Sequence, residues 1–158
     1  MIKVSIIAVG KIKEPAFIEA AKEYEKRLGA FCELSVVEIK PARLPEDPSE
    51  AEISAALKSE AAAILSKIPD NAAVYPACIE GRRFSSEAFA AEIENRTAEG
   101  KQLCFIIGGS HGLYEEVKKR GVRISFSDMT FPHRLFRIML LEQIYRAFMI
   151  NAGAKYHK

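Results

Sequence analysis

The sequence predicts an α/β domain: a mainly parallel sheet of five or six strands with helices on both faces. Three observations carry that expectation. Apolar, β-branched runs alternate with amphipathic helical stretches along the whole chain. Glycine or a Ser/Thr-rich loop follows several of the runs directly, at Gly10, Gly81, Gly108-Gly109 and Ser127. The 158 residues, 49% hydrophobic and 28% charged, suit one domain (1–158) with a core of its own.

Ile2 to Val9 is apolar and β-branched, so it reads as a buried strand rather than a leader peptide. Phe17, Ala20, Ala21, Tyr24 and Leu28 then recur at helical spacing, and Gly29 ends that helix. Leu34 to Ile39 is the second strand, followed by a polar loop stiffened by Pro41, Pro45 and Pro48. Ser49 and Glu52 have capping-box spacing. The helix they open carries Ile53, Leu57, Ala61, Ile64 and Leu65 on one face and stops before Pro69. Ala73 to Ile79 is the third strand. Ser85 or Ser86 caps the next helix, with Phe89 and Ile93 inward and Gly100 beyond it. Leu103 to Ile107 is the fourth strand, Leu113 to about Arg120 a short helix, and Val122 to Phe126 the fifth strand.

The last helix, from about Pro132 to Asn151, is apolar almost all round. Such a helix must be buried on more than one side. The sheet covers one side; a second copy of the chain in a symmetric dimer is the expected cover for the other.

Several classes are excluded or weakened. No apolar run approaches the roughly 20 residues of a membrane span, and a soluble, cytoplasmic protein is expected. Cys32, Cys78 and Cys104 are odd in number with no CxxC pair, which suits free thiols in a reducing compartment. No His/Cys/Asp/Glu cluster has metal-ligand spacing. GxxxxGK[ST] and GxSxG are absent. Gly108-Gly-Ser-His-Gly112 is not GxGxxG, and it follows the fourth strand rather than the first.

A ligand site remains where parallel strands end. Gly108 and Gly109 let backbone approach a small molecule, and Ser127 and Thr130 add hydroxyls in the loop Phe126 to Phe131. These features suit a nucleoside-like ligand. His133 and Arg134 begin the following helix beside that loop. The tail Tyr156-His157-Lys158 lies beyond Gly153 and by position alone is a solvated end. Charge is uneven: residues 118–158 carry nine Lys/Arg and two acids, a net +7, against −5 for residues 1–117. A third this basic is a footprint for a polyanion, or else a solvated face.

Ala8-Val-Gly-Lys11, Tyr24-Glu-Lys-Arg-Leu28, Ile106-Ile-Gly-Gly-Ser110, Ser125-Phe-Ser-Asp-Met-Thr-Phe-Pro-His133, Glu142-Gln-Ile-Tyr-Arg-Ala147 and Tyr156-His-Lys158 stand in one order along the full chain. In these motifs the sequence resembles the SPOUT-class ribosomal RNA methyltransferases that act on N3 of a pseudouridine in 23S rRNA (the RlmH or YbeA-like family). The resemblance implies a C-terminal trefoil knot, a homodimer, S-adenosylmethionine as cofactor and the assembled ribosome as partner, with no metal and no membrane. By position it implies cofactor contacts from Ala77, Gly108, Phe126, Ser127, Asp128, Met129, Thr130 and Phe131. At Ala77 the family has a leucine. His157 and His133 are the candidate bases, with Tyr156 and Arg134 placing RNA. Two alternatives stand beside this reading: a SPOUT enzyme acting on another RNA, such as a tRNA, and a non-catalytic ribosome-binding module.

Overall fold

A computed structural model of the chain describes residues 1–158. Its elements are β1 (Ile2–Val9), α1 (Pro15–Leu28), β2 (Cys32–Ile39), α2 (Glu50–Leu65), β3 (Ala72–Arg83), α3 (Ser86–Ala98), β4 (Gln102–Ile107), α4 (Glu115–Lys118), β5 (Ile124–Ser125) and α5 (His133–Asn151). The five strands form one sheet in the order β2-β1-β4-β3-β5, and every pairing is parallel.

The period of two in β1 and β4 explains why helices cover both faces. Val4, Ile6 and Ala8 of β1, with Leu103, Phe105 and Ile107 of β4, face a core built from α1, α3 and α5. Ile7, Val9, Cys104 and Ile106 face the other way, onto Ala61 and Ile64 of α2 and Val117 of α4. Each fully buried Leu or Ile in these layers contributes about 1.5–3 kcal/mol of transfer free energy. Both predicted caps form. Ser49 Oγ accepts the Glu52 N–H at 3.2 Å while Glu52 Oε1 accepts the Ser49 N–H at 3.1 Å. Ser85, not Ser86, caps α3 by accepting the Ala88 N–H at 3.0 Å.

The structure moves several expected boundaries. β2 begins at Cys32 rather than Leu34, and β3 runs to Arg83 rather than Ile79. β3 changes partner on the way: Ala72 to Pro76 pair with β4, and Ala77, Arg82 and Arg83 pair with β5 after a register shift. Pro76 lacks an N–H, so the ladder to β4 ends at the residue that cannot extend it. β5 is two residues, not the five of Val122 to Phe126. Val122 instead donates its N–H to Val74 O at 3.0 Å, and Phe126 turns out to pack on Phe136, with ring centroids 4.7 Å apart. The helix expected from Leu113 to Arg120 shrinks to Glu115–Lys118, because Leu113 is buried as an anchor for the preceding turn.

Backbone passes unusually close to backbone at this C-terminal end. A Cβ on Gly81 would lie 2.6 Å from the carbonyl carbon of Ile124, so only glycine admits the neighbouring strand there. α5 then returns across the sheet against α1 and α3. Arg137, Leu140, Leu141, Ile144, Ala147 and Phe148 are buried, whereas Leu135, Ile138, Met139, Met149 and Ile150 stay half-buried within one chain.

The tail folds back instead of ending in solvent. Gly153, at φ +71°, makes the turn. The Tyr156 ring meets Tyr145 edge-on at 5.0 Å, and its hydroxyl donates to Glu142 Oε1 at 3.3 Å. Arg146 donates to Nδ1 of His157 at 3.0 Å, and Nε2 lies 2.7 Å from Glu87 Oε1. Arginine has no acceptor, so Nδ1 accepts and Nε2–H donates to Glu87.

Candidate active site

The carboxyl ends of β3, β4 and β5 open into a cleft of about 890 Å³. Its position follows from the strand order. β4 and β3 are neighbours in the sheet, the chain leaves them towards opposite faces (into α4 and α3), and the gap between the departing loops is where parallel sheets hold ligands. One wall is the end of β3, Ala77 to Glu80; the floor is Ile107 to Leu113; the other wall is the loop after β5 and the head of α5.

The floor depends on Gly108. A Cβ there would lie 2.6 Å from the carbonyl carbon of Gly112 and closer still to its oxygen. The turn is closed by Gly112 N–H donating to Gly109 O at 3.1 Å. The loop after β5 is held by its own short bonds. Ser125 Oγ donates to Ser127 O at 3.0 Å, and Met129 N–H donates to Ser127 Oγ at 3.0 Å. Apolar surface comes from Ile107, Leu113, Ile124, Phe126 and Phe136.

The charged groups are few and mostly matched. Lys118 Nζ reaches Glu80 Oε1 at 2.7 Å; that bond holds the Glu80 carboxyl below its usual range and the Lys118 ammonium above its own. Burial, reinforced by the Glu80 charge, pushes the Cys78 thiol up to about 11, so it stays protonated near neutrality and is a poor nucleophile. His133 faces the cleft from the start of α5. Partial burial, then the charges of Arg134 and Arg137, depress its pKa below 6.5, and the ring is neutral at pH 7.

The residues singled out in the sequence fall into three groups. Ala77, Gly108, Phe126, Ser127, Met129, Thr130, Phe131 and His133 share the cleft wall. Asp128 does not: it is exposed and forms an ion pair with Arg83. Arg134 turns to a neighbouring cavity, where it pairs with Glu14 at 2.5 Å. Tyr156 and His157 lie against α3 and the later turns of α5, outside the cleft of their own chain. Ser110 and His111 of the glycine loop also stand on the cleft wall, as do Cys78, Glu80 and Lys118, which no sequence motif marks. Nor does any motif mark Arg137, which is buried and donates to Glu38 at 2.8 Å and to Gly10 O at 3.0 Å. No group of three or more His, Cys, Asp or Glu side chains is placed to hold a metal ion. No helix is long and apolar enough to cross a membrane.

Fold and site together define a class: a parallel α/β protein whose small-ligand cleft is built from tightly crossed C-terminal loops. Comparison with known proteins narrows it. The family described as "Predicted SPOUT methyltransferase" matches residues 2–157. Relatives named Ribosomal RNA large subunit methyltransferase H are similar end to end. That of Levilactobacillus brevis is 46% identical over 157 residues, covering 98% of this chain and 99% of the relative. That of Ligilactobacillus salivarius is 48% identical over 157 residues with the same coverage, and that of Streptococcus thermophilus is 48% identical over 158 residues, covering 99% of each. A crystal structure described as a methylase family protein from Neisseria gonorrhoeae shares the fold. Its TM-score is 0.52 at 14% identity, covering 90% of this chain and 81% of that one. The chain belongs to the SPOUT methyltransferase family, in the group of these ribosomal RNA large subunit methyltransferase H relatives. It is a methyltransferase of α/β-knot fold.

Proposed function

We propose that this enzyme moves the methyl group of S-adenosylmethionine to N3 of a pseudouridine in the 23S rRNA of the assembled ribosome, in the cytoplasm, working as a homodimer. The observation that carries the proposal is end-to-end similarity to relatives named for large-subunit RNA methylation, combined with a cleft made of the same loops that the motifs mark.

The cleft suits the cofactor. The Gly108 floor admits a ligand against bare backbone, and Ile107, Leu113, Ile124 and Phe126 offer an apolar seat for a purine. Ser127 and Thr130 would offer hydroxyls to the cofactor's polar atoms. Ala77, where the family has leucine, gives less apolar cover on one side and leaves the strand's backbone as the contact. When bound, S-adenosylmethionine supplies a sulfonium-activated methyl group. The chain's task is then alignment and proton removal. N3 of pseudouridine carries a proton and becomes a competent nucleophile as that proton leaves. His133, neutral and on the cleft wall, accepts it.

The dimer rests on α5, whose half-buried Leu135, Ile138, Met139 and Met149 form an apolar surface that a second copy would cover. Across such an interface the tail of one chain reaches the cleft of the other. There Tyr156 and His157 would place the RNA, and His157 is the second candidate for the base.

The test is product identity. Ribosomes lacking the modification are incubated with enzyme and S-adenosylmethionine, and the RNA is digested to nucleosides for mass analysis. N3-methylpseudouridine supports the proposal; a methyl group on another nucleoside, or none, overturns it.

A further inference from the structure

A second cavity of about 640 Å³ shares Gly109, Ser110, His111 and His133 with the cleft. We propose that it seats the RNA backbone phosphates flanking the target base; this inference rests on the RNA-methyltransferase reading above. Its walls are the end of β1 with Lys11 and Lys13, the loop Lys40 to Leu44, and the inner face of α2.

The balance of charge makes the cavity an anion seat. Four cationic side chains line it, Lys11, Lys13, Lys40 and Arg134, against two acids, Glu38 and Glu60. Glu38 is already neutralised by buried Arg137, and Arg134 by Glu14. Glu60 is held by the Ala42 N–H at 2.9 Å. Lys11, Lys13 and Lys40 enter no ion pair anywhere in the chain. Three lysines with no ion-pair partner therefore line one concave surface. A phosphodiester meets each of them, and affinity from such contacts comes with counterion release.

The cavity is also preformed. The bond from Ala42 to Glu60 pins the Lys40 loop onto α2, and Pro41 and Pro45 restrict its backbone. Gly10 N–H donates to Ile39 O at 2.8 Å, tying the two lysine-bearing turns together. The shared wall at Ser110, His111 and His133 sets the geometry: a base turned into the cleft leaves its own backbone on the lysine side.

The test removes three charges without touching the cleft. The variant Lys11→Ala, Lys13→Ala, Lys40→Ala is compared with Lys3→Ala, Lys67→Ala, Lys101→Ala, whose lysines sit at the amino ends of the strands. Methyl transfer to unmodified ribosomes is measured against salt, with calorimetric titration of S-adenosylmethionine. The first triple is expected to raise the ribosome KM at least tenfold, leave kcat within about twofold and leave cofactor affinity unchanged. Its plot of log KM against log salt should be shallower by about 2, at roughly 0.7 for each phosphate no longer neutralised. Lysine-to-arginine replacements at the same sites should restore wild-type behaviour. An unchanged KM and salt slope, or an equal effect from the control triple, overturns the phosphate seat. If the wild type itself transfers no methyl, the proposed function has failed, and ribosome co-sedimentation of the same variants still reports on the cavity.

Discussion

Replacing Gly108 by alanine should disable the cofactor cleft while leaving the rest of the fold standing. The new Cβ would lie 2.6 Å from the carbonyl carbon of Gly112 and 3.1 Å from its Cα. Carbon atoms rest at about 3.5–4.0 Å, so the turn must open by roughly 1 Å. It has little freedom to do so, because Gly112 is bonded to Gly109 and Leu113 is locked in the core. Overpacking of this kind costs about 1–3 kcal/mol. For a domain of this size that is a fall in Tm of about 2–12 °C. The same movement shifts the cleft floor into the space a ligand would occupy, and affinity for S-adenosylmethionine should fall at least tenfold. Differential scanning calorimetry and calorimetric titration measure the two effects separately. A Gly108→Ala protein that binds the cofactor with wild-type affinity would refute the idea that bare backbone at 108 forms the seat.

Arg137→Ala should destabilise the fold by about 2–3 kcal/mol in denaturant unfolding, because it strips charge-assisted bonds from Glu38 and Gly10 O; a loss under about 0.5 kcal/mol would show the pair to be inert. Ser49→Ala should cost about 1 kcal/mol by removing the capping box of α2, again read from denaturant midpoints. His133 has a folded pKa depressed below its ordinary 6.5, so its contribution is fully present above about pH 6.5 and is lost as pH falls through the folded value. The stability advantage of wild type over His133→Gln should therefore shrink between pH 7 and pH 5; an advantage that grew on acidification would contradict the neutral, part-buried ring.

Much of this architecture is legible in the residues because local signals agree with the tertiary fold. The capping box at Ser49 and Glu52, the glycine after α1 and the β-branched run of β1 each mark their elements correctly. The cleft is legible for the same reason, since Gly108 and the Ser127 to Phe131 loop follow strands directly. What escapes depends on pairing across distance. Val122 to Phe126 reads as an ordinary strand, yet only Ile124 and Ser125 pair, because Val122 is already bonded to Val74. The length of β3 is hidden by Gly81, which suggests a strand's end although pairing resumes at Arg82 with β5 after the change of partner at Pro76. Arg137 sits among apolar neighbours on α5, and nothing local announces that Glu38, 99 positions away, will meet it. The tail reads as free because its partners, Glu87, Glu142 and Arg146, lie on two other helical surfaces.

The central claim, that this chain methylates ribosomal RNA within the assembled particle, is tested most directly by tritium transfer from labelled S-adenosylmethionine. Intact ribosomes lacking the modification, protein-free ribosomal RNA and tRNA are offered in parallel. Label is predicted in the large-subunit RNA of intact ribosomes alone. Label in tRNA, equal label in protein-free RNA, or no label in any pool would contradict it.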